Sequence, residues 1–204
     1  MSHFADEYEP VDLTAGNGTI QGRYYQVLNA SRAAIWVGGV GGGWDTPAQE
    51  LYPTLCNQFR HEGVASLRIR YHDPHDLTQA TNDVLAGMAF LKKRGIETLA
   101  LVGHSLGGAV VIRAALLDES ATAVVALASQ GYGTSGVEKL GPRCALLLVH
   151  GLQDTILPYH SSIDIYKRAS EPKKLLTYPS ADHVLDSVAH EISQEIASWF
   201  REYL

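Results

Sequence analysis

Short apolar runs of strand length recur along this chain with segments of helical period between them. They include Ala33-Ala34-Ile35-Trp36-Val37, Leu99–Val102, Val124–Ala128 and Cys144–Val149, with Val64–Ile69 and Leu175–Tyr178 as further strand segments. A strand that faces water on one side alternates apolar with polar residues; a strand covered on both faces does not. Between the runs, Leu51, Leu55 and Phe59 recur at helical spacing, as do Leu77, Ala80, Val84, Leu85, Met88 and Leu91 within Asp76–Arg94. Leu106–Leu117, Tyr159–Ala169 and Leu185–Phe200 read as the remaining helices. This alternation predicts an α/β fold, a mostly parallel central sheet with helices on both faces. Val11–Thr14 and Thr19–Val27, joined through Gly16-Asn17-Gly18, read as an antiparallel N-terminal hairpin added at one edge. Thr46-Pro47-Ala48-Gln49 reads as a capping box that starts the first helix.

A length of 204 residues, 46% hydrophobic, suits one domain over 1–204, with residues 1–10 expected to be loose. The net charge of −6 and the lack of a basic stripe argue against a nucleic-acid partner. The first residues are acidic and polar, without the charged and apolar regions of a secretory signal. The oily stretch Leu99–Leu117 is interrupted by His104, Ser105, a glycine pair and Arg113, so no membrane span is expected. Cys56 and Cys144 fit no metal spacing and read as reduced core residues, which points to the cytoplasm.

In a parallel sheet, chemistry gathers just after the strands. Leu99–Val102 runs into Gly103-His104-Ser105-Leu106-Gly107, a Gly-x-Ser-x-Gly turn between a strand and a helix. A turn that sharp strains the central serine and brings neighbouring backbone close, which requires small residues at 103 and 107. It also lifts the Ser105 hydroxyl clear and aims the Leu106 N–H where an oxyanion would form. The plainer reading, a helix-capping serine beside packing glycines, does not explain the placement. A serine nucleophile needs a base, and the base needs an orienting carboxylate. Asp154 follows strand Cys144–Val149 and His183 follows strand Leu175–Tyr178, which gives the chain order serine, acid, histidine.

Competitors are weaker. His104 lies inside the turn and should point elsewhere, and His150 is placed to brace the Asp154 loop. Asp182 adjoins His183, but adjacent side chains diverge. The alternative acid position after Val124–Ala128 holds Ser129-Gln130. His72-Asp73-Pro74-His75-Asp76 reads as a turn before a helix and not as a metal site. The glycine-rich loop Gly38–Trp44, after the first buried strand, is the expected source of a second oxyanion donor; no Lys-Ser/Thr follows it, so a nucleotide loop is disfavoured.

These residues, Gly38–Trp44, Gly103–Gly107, His150–Asp154 and Asp182-His183, make the chain resemble the α/β-hydrolase family over about residues 10–204. By position in that family's pattern, Val40 supplies the second oxyanion donor, with Gly41 as alternate. The family often opens this loop with His-Gly, whereas Gly38-Gly39 stands here. Dienelactone-hydrolase-like members usually carry a cysteine nucleophile, so that activity is not inferred from the serine. Many relatives insert a helical lid before the strand that carries the acid; residues 129–143 leave no room for one, so no cap domain and an open site are expected. Trp44, Tyr132 and Leu157 are expected near the substrate. The reading is a serine esterase-like hydrolase acting on a small-molecule or acyl substrate, without cofactor or metal. Thioester or peptide cleavage on the same triad and a non-catalytic binding protein are the alternatives, and the oligomeric state is open.

Overall fold

A computed structural model describes residues 7–16 and 18–204. Among these residues, eight strands form one sheet: β1 (Glu9–Ala15), β2 (Gly18–Tyr25), β3 (Arg32–Val37), β4 (Ala65–Ile69), β5 (Thr98–His104), β6 (Ala121–Leu127), β7 (Ala145–Gly151) and β8 (Lys173–Tyr178). Their order is β1-β2-β4-β3-β5-β6-β7-β8. β1 pairs antiparallel with β2, and β2 with β4; every other pair is parallel. The expected mostly parallel sheet with an antiparallel N-terminal hairpin is therefore what forms. Asn17, centre of the expected hairpin turn, lies outside the described residues, as do residues 1–6. The expectation of a loose start is corrected at its end: Glu9 and Pro10 already pair with Tyr24 and Arg23.

Among the described residues, five helices cover the sheet: α1 (Leu51–His61), α2 (Leu77–Lys92), α3 (Leu106–Leu117), α4 (His160–Arg168) and α5 (Ala189–Tyr203). Successive side chains of a strand point to opposite faces, and here both faces are dry. Leu99 and Leu101 of β5 join the core beneath α2 and α3; Ala100 and Val102 join the core beneath α1 and α5. On the second face Trp36, Phe59 and Phe200 pack ring on ring, with Phe59 and Phe200 stacked at 4.8 Å. Two-sided burial is the reason the central strands lack polar alternation. No cap domain intervenes; the segment between β6 and β7 holds only a single 3-10 turn, Val137–Lys139.

The capping box at Thr46–Gln49 does not form. Ala48, Gln49 and Glu50 all take left-handed backbone angles, φ 52°, 51° and 63°, and α1 begins at Leu51. Tertiary ties explain the override. Ala48 N–H donates to Val184 O (2.7 Å), Gln49 N–H to Asp186 Oδ1 (2.9 Å), and Gln49 Nε2 to Asp186 O (2.9 Å). Thr46 Oγ1 accepts from Tyr52 N–H instead of capping a nearer amide. Such strain persists only where surrounding bonds over-determine it. The last helix is also shorter than expected. Leu185 is left-handed (φ 64°), a 3-10 turn follows over Asp186–Val188, and α5 starts at Ala189.

The chain passes from β3 to β4 on one side and then to β5 on the other. The loops that leave β3 and β5 therefore diverge, which opens a crevice at the carboxyl ends of these strands.

Candidate active site

Ser105 sits at the end of β5 as the first residue before α3, with φ 58° and ψ −116°. That conformation is costly for a residue with a Cβ, by about 1–3 kcal/mol, and marks a constraint imposed from outside. The constraint is visible. Ser105 N–H still bonds Leu127 O as an extension of the sheet, while α3 starts at the next residue. A Cβ on Gly103 would lie 2.1 Å from Gly107 O, and one on Gly107 would lie 2.4 Å from Gly38 O. Both contacts are with backbone, so only glycine fits, as the turn geometry required.

Asp154 lies on the loop after β7, its side chain fully buried. Oδ1 accepts from the Ile156 and Leu157 N–H groups, each at 2.8 Å. Oδ2 accepts from His183 Nδ1 at 2.7 Å and from His150 Nε2 at 3.1 Å. Burial would raise this carboxyl's pKa, but the hydrogen bonds from His183, Leu157 and Ile156 outweigh it and hold the group below its usual value. The two loops meet because Gly151 has no side chain: a Cβ there would stand 2.2 Å from Ala181 O. Gln153 N–H also bonds Ala181 O.

A carboxylate can only accept, so His183 Nδ1 carries a proton, and in the neutral ring the lone pair is on Nε2. His183 is further fixed from the elbow side. His104 Nε2 donates to His183 O at 2.9 Å, and the two rings lie 4.8 Å apart. Burial lowers the His104 pKa to about 4, which keeps the ring neutral, with Nδ1 buried and unpartnered among the described residues. His104 grips the His183 backbone, a feature the sequence alone did not reveal. Its position directly before the serine was the available signal.

His150 braces the acid loop. Nε2 bonds both Asp154 and Leu157 O (3.2 Å), and Nδ1 meets Ser162 Oγ of α4 at 2.7 Å. Burial lowers its pKa, so the ring is neutral and the Ser162 hydroxyl donates to Nδ1. Asp182 does not face His183 Nδ1; its Oδ1 accepts Leu185 N–H. Asp73 and Asp76 accept backbone N–H groups at the entry to α2.

Ser105 itself is 7% exposed, and its hydroxyl makes no hydrogen bond to another described residue. The Asp154–His183 hydrogen bond is formed without any contribution from the serine hydroxyl. The loop after β3 passes against the serine: a Cβ on Gly39 would lie 3.0 Å from Ser105 Cβ. Val40 follows directly, at the crevice between β3 and β5. Leu106, first residue of α3, has an N–H without an intrahelical partner by position. Of the expected substrate neighbours, Leu157 is on the Asp154 loop, half-buried, and Tyr132 is 81% exposed on the loop after β6. Trp44 follows the glycine run after β3. Its ring lies under the Arg23 guanidinium (4.2 Å) and lines a cavity of about 250 Å³ with Tyr8, Asp12 and Gln21 at the hairpin edge.

No protein-family profile matches the chain. A stretch is 31% identical over 111 residues to "Uncharacterized protein YfhR" of Escherichia coli (strain K12), covering 43% of this chain and 39% of that protein. The match therefore spans well under half the length of its curated relative. Solved structures agree over nearly the whole chain. Est1E from Butyrivibrio proteoclasticus superposes with a TM-score of 0.79 at 19% identity, over 95% of this chain and 98% of its own. The dienelactone hydrolase from Anabaena variabilis gives 0.80 at 18%, over 97% and 98%. The esterase domain of a Rhodothermus marinus protein gives 0.79 at 18%, over 97% and 99%. The sheet order, the elbow after β5 and these superpositions lead to one conclusion: the chain has the α/β-hydrolase fold.

Proposed function

We propose that this chain is a serine hydrolase that cleaves an ester-type acyl bond. Ser105 Oγ attacks the acyl carbon while His183 Nε2 takes its proton. Asp154 holds His183 in the competent tautomer and stabilises the imidazolium that forms. The Leu106 and Val40 N–H groups donate to the oxyanion; each such donor is worth about 3–4 kcal/mol of barrier. His183 then returns the proton to the departing alcohol oxygen as the C–O bond breaks. Water, deprotonated by the same imidazole, releases the acid from the acyl-enzyme. No step calls on a cofactor or metal.

One observation carries this reading: a strained serine at a strand–helix turn directly follows His104, which bonds the backbone of a histidine whose Nδ1 is committed to a buried carboxylate. A capping serine or structural histidine needs neither feature. Hydrolase names among the superposed structures, esterases included, lend support. The test is turnover of a 4-nitrophenyl ester by the wild type and by Ser105→Ala. The wild type should hydrolyse the ester, and the variant should lose at least about a thousandfold in kcat. Equal turnover by both would remove Ser105 from the chemistry.

A further inference from the structure

Seven large apolar side chains stand exposed among the described residues, and five of them sit on loops at the carboxyl ends of the strands around Ser105. Val40 (48% exposed) follows β3, Tyr132 (81%) follows β6, Leu152 (38%) and Ile156 (69%) flank Asp154, and Val184 (44%) adjoins His183. Scattered single exposures are ordinary, but a set gathered at one end of a sheet marks a surface that meets something apolar. The same loops have a second property. Residues 38–46, 128–136, 151–159 and 180–187 contain no lysine or arginine, and they carry Asp45, Asp154, Asp182 and Asp186. Arg168 approaches from α4, but its guanidinium is committed to Asp164 and to Thr134 O and Oγ1. Arg113 runs under Gly133 from α3, and Arg70 is bonded to Gln21 at the hairpin edge.

From this rim we infer the substrate class: a neutral ester whose acyl or alcohol part is extended and apolar, with esters carrying a free carboxylate or phosphate disfavoured. The inference rests on the serine-hydrolase reading above. An apolar chain leaving the acyl carbon has no lid to enter and lies across Ile156, Val184, Val40 and Tyr132, where it and the rim lose water together. A carboxylate in the same place meets aspartates and finds no cation presented by the loops. Phosphate-bearing thioester carriers meet the same field.

Two comparisons on the purified protein test this. First, 4-nitrophenyl octanoate should be hydrolysed with higher kcat/KM than 4-nitrophenyl acetate. The octanoate-to-acetate ratio should fall about tenfold in the combined Ile156→Ser and Val184→Ser variant, since each truncation removes part of an apolar contact. Both side chains are exposed, so the fold should survive, and a melting curve checks it. Second, the monoanionic 4-nitrophenyl adipate should be about tenfold poorer than its neutral methyl ester at low salt, with the gap narrowing as salt screens the rim. The inference is overturned if octanoate is no better than acetate, if the variant keeps the wild-type ratio, or if the free acid matches its methyl ester. Ser105→Ala on the acetate ester separates the levels. Serine-dependent acetate hydrolysis with any of those outcomes leaves the hydrolase reading standing and removes the substrate class; no serine-dependent hydrolysis of any ester removes both.

Discussion

Replacing Asp154 with asparagine tests the roles proposed for Asp154 and His183. All four groups that meet this carboxylate are donors: His183 Nδ1 (2.7 Å) and His150 Nε2 (3.1 Å) at Oδ2, and the Ile156 and Leu157 N–H groups (both 2.8 Å) at Oδ1. An amide has one acceptor oxygen and one NH2. If the oxygen keeps the two backbone N–H groups, which cannot change their nature, the NH2 faces His183. The imidazole must then move its proton from Nδ1 to Nε2, and it can no longer accept the serine proton. Orienting acids lost in this way cost about 10⁴-fold in kcat, or about 5 kcal/mol of barrier. Folding should suffer less, by about 1–3 kcal/mol, because the volume is kept and a buried donor pair is merely mismatched. The assay is kcat on a neutral 4-nitrophenyl ester alongside a melting curve, with nitrogen chemical shifts reporting the His183 tautomer. A variant that stays folded and retains kcat within about tenfold of wild type would show that Asp154 does not orient the base.

Gly107→Ala should destabilise by about 3 kcal/mol, lowering Tm by about 10 °C, since rigid backbone at Gly38 stands in the way of the new methyl. Gly39→Ala should do the reverse: its methyl meets Ser105 Cβ at 3.0 Å, so kcat should drop by about ten- to a hundredfold with little change in Tm. Stability should also depend on pH through His104, whose pKa is 6.5 in an ordinary setting and about 4 in the fold. Between those values the unfolded chain binds a proton that the folded chain does not. Stability is therefore full above the upper value and falls as pH drops toward the lower one, by roughly 3 kcal/mol. His150 is shifted in the same direction. Denaturant titrations across this window should show the fall, and His104→Asn should flatten it.

Local chemistry explains what could be read from the sequence. The central strands announce themselves because both faces are covered, and Asp76 starts α2 because its carboxylate accepts Thr78 and Gln79 N–H. The elbow is legible because collisions at Gly103 and Gly107 are built into any turn of that shape. What was hidden depends on partners distant in the chain. Thr46–Gln49 carry helix-start signals, yet bonds from Ala48 and Gln49 to Val184 and Asp186 go with left-handed angles there. His104 looked like a bystander because its partner is a backbone carbonyl 79 residues away. Placement of β4 between β2 and β3 has no local signature. The Arg23 guanidinium over the Trp44 ring, distant from it in the chain, likewise has no local signature.

The central claim is that a covalent acyl group passes through one hydroxyl. Intact-mass measurement after exposure to a fluorophosphonate, followed by peptide mapping, examines that most directly. The account predicts one phosphonyl group per chain, on Ser105, and none on the Ser105→Ala variant. A modification that maps to another residue, or a wild-type protein that hydrolyses esters while Ser105 stays unlabelled, would contradict it.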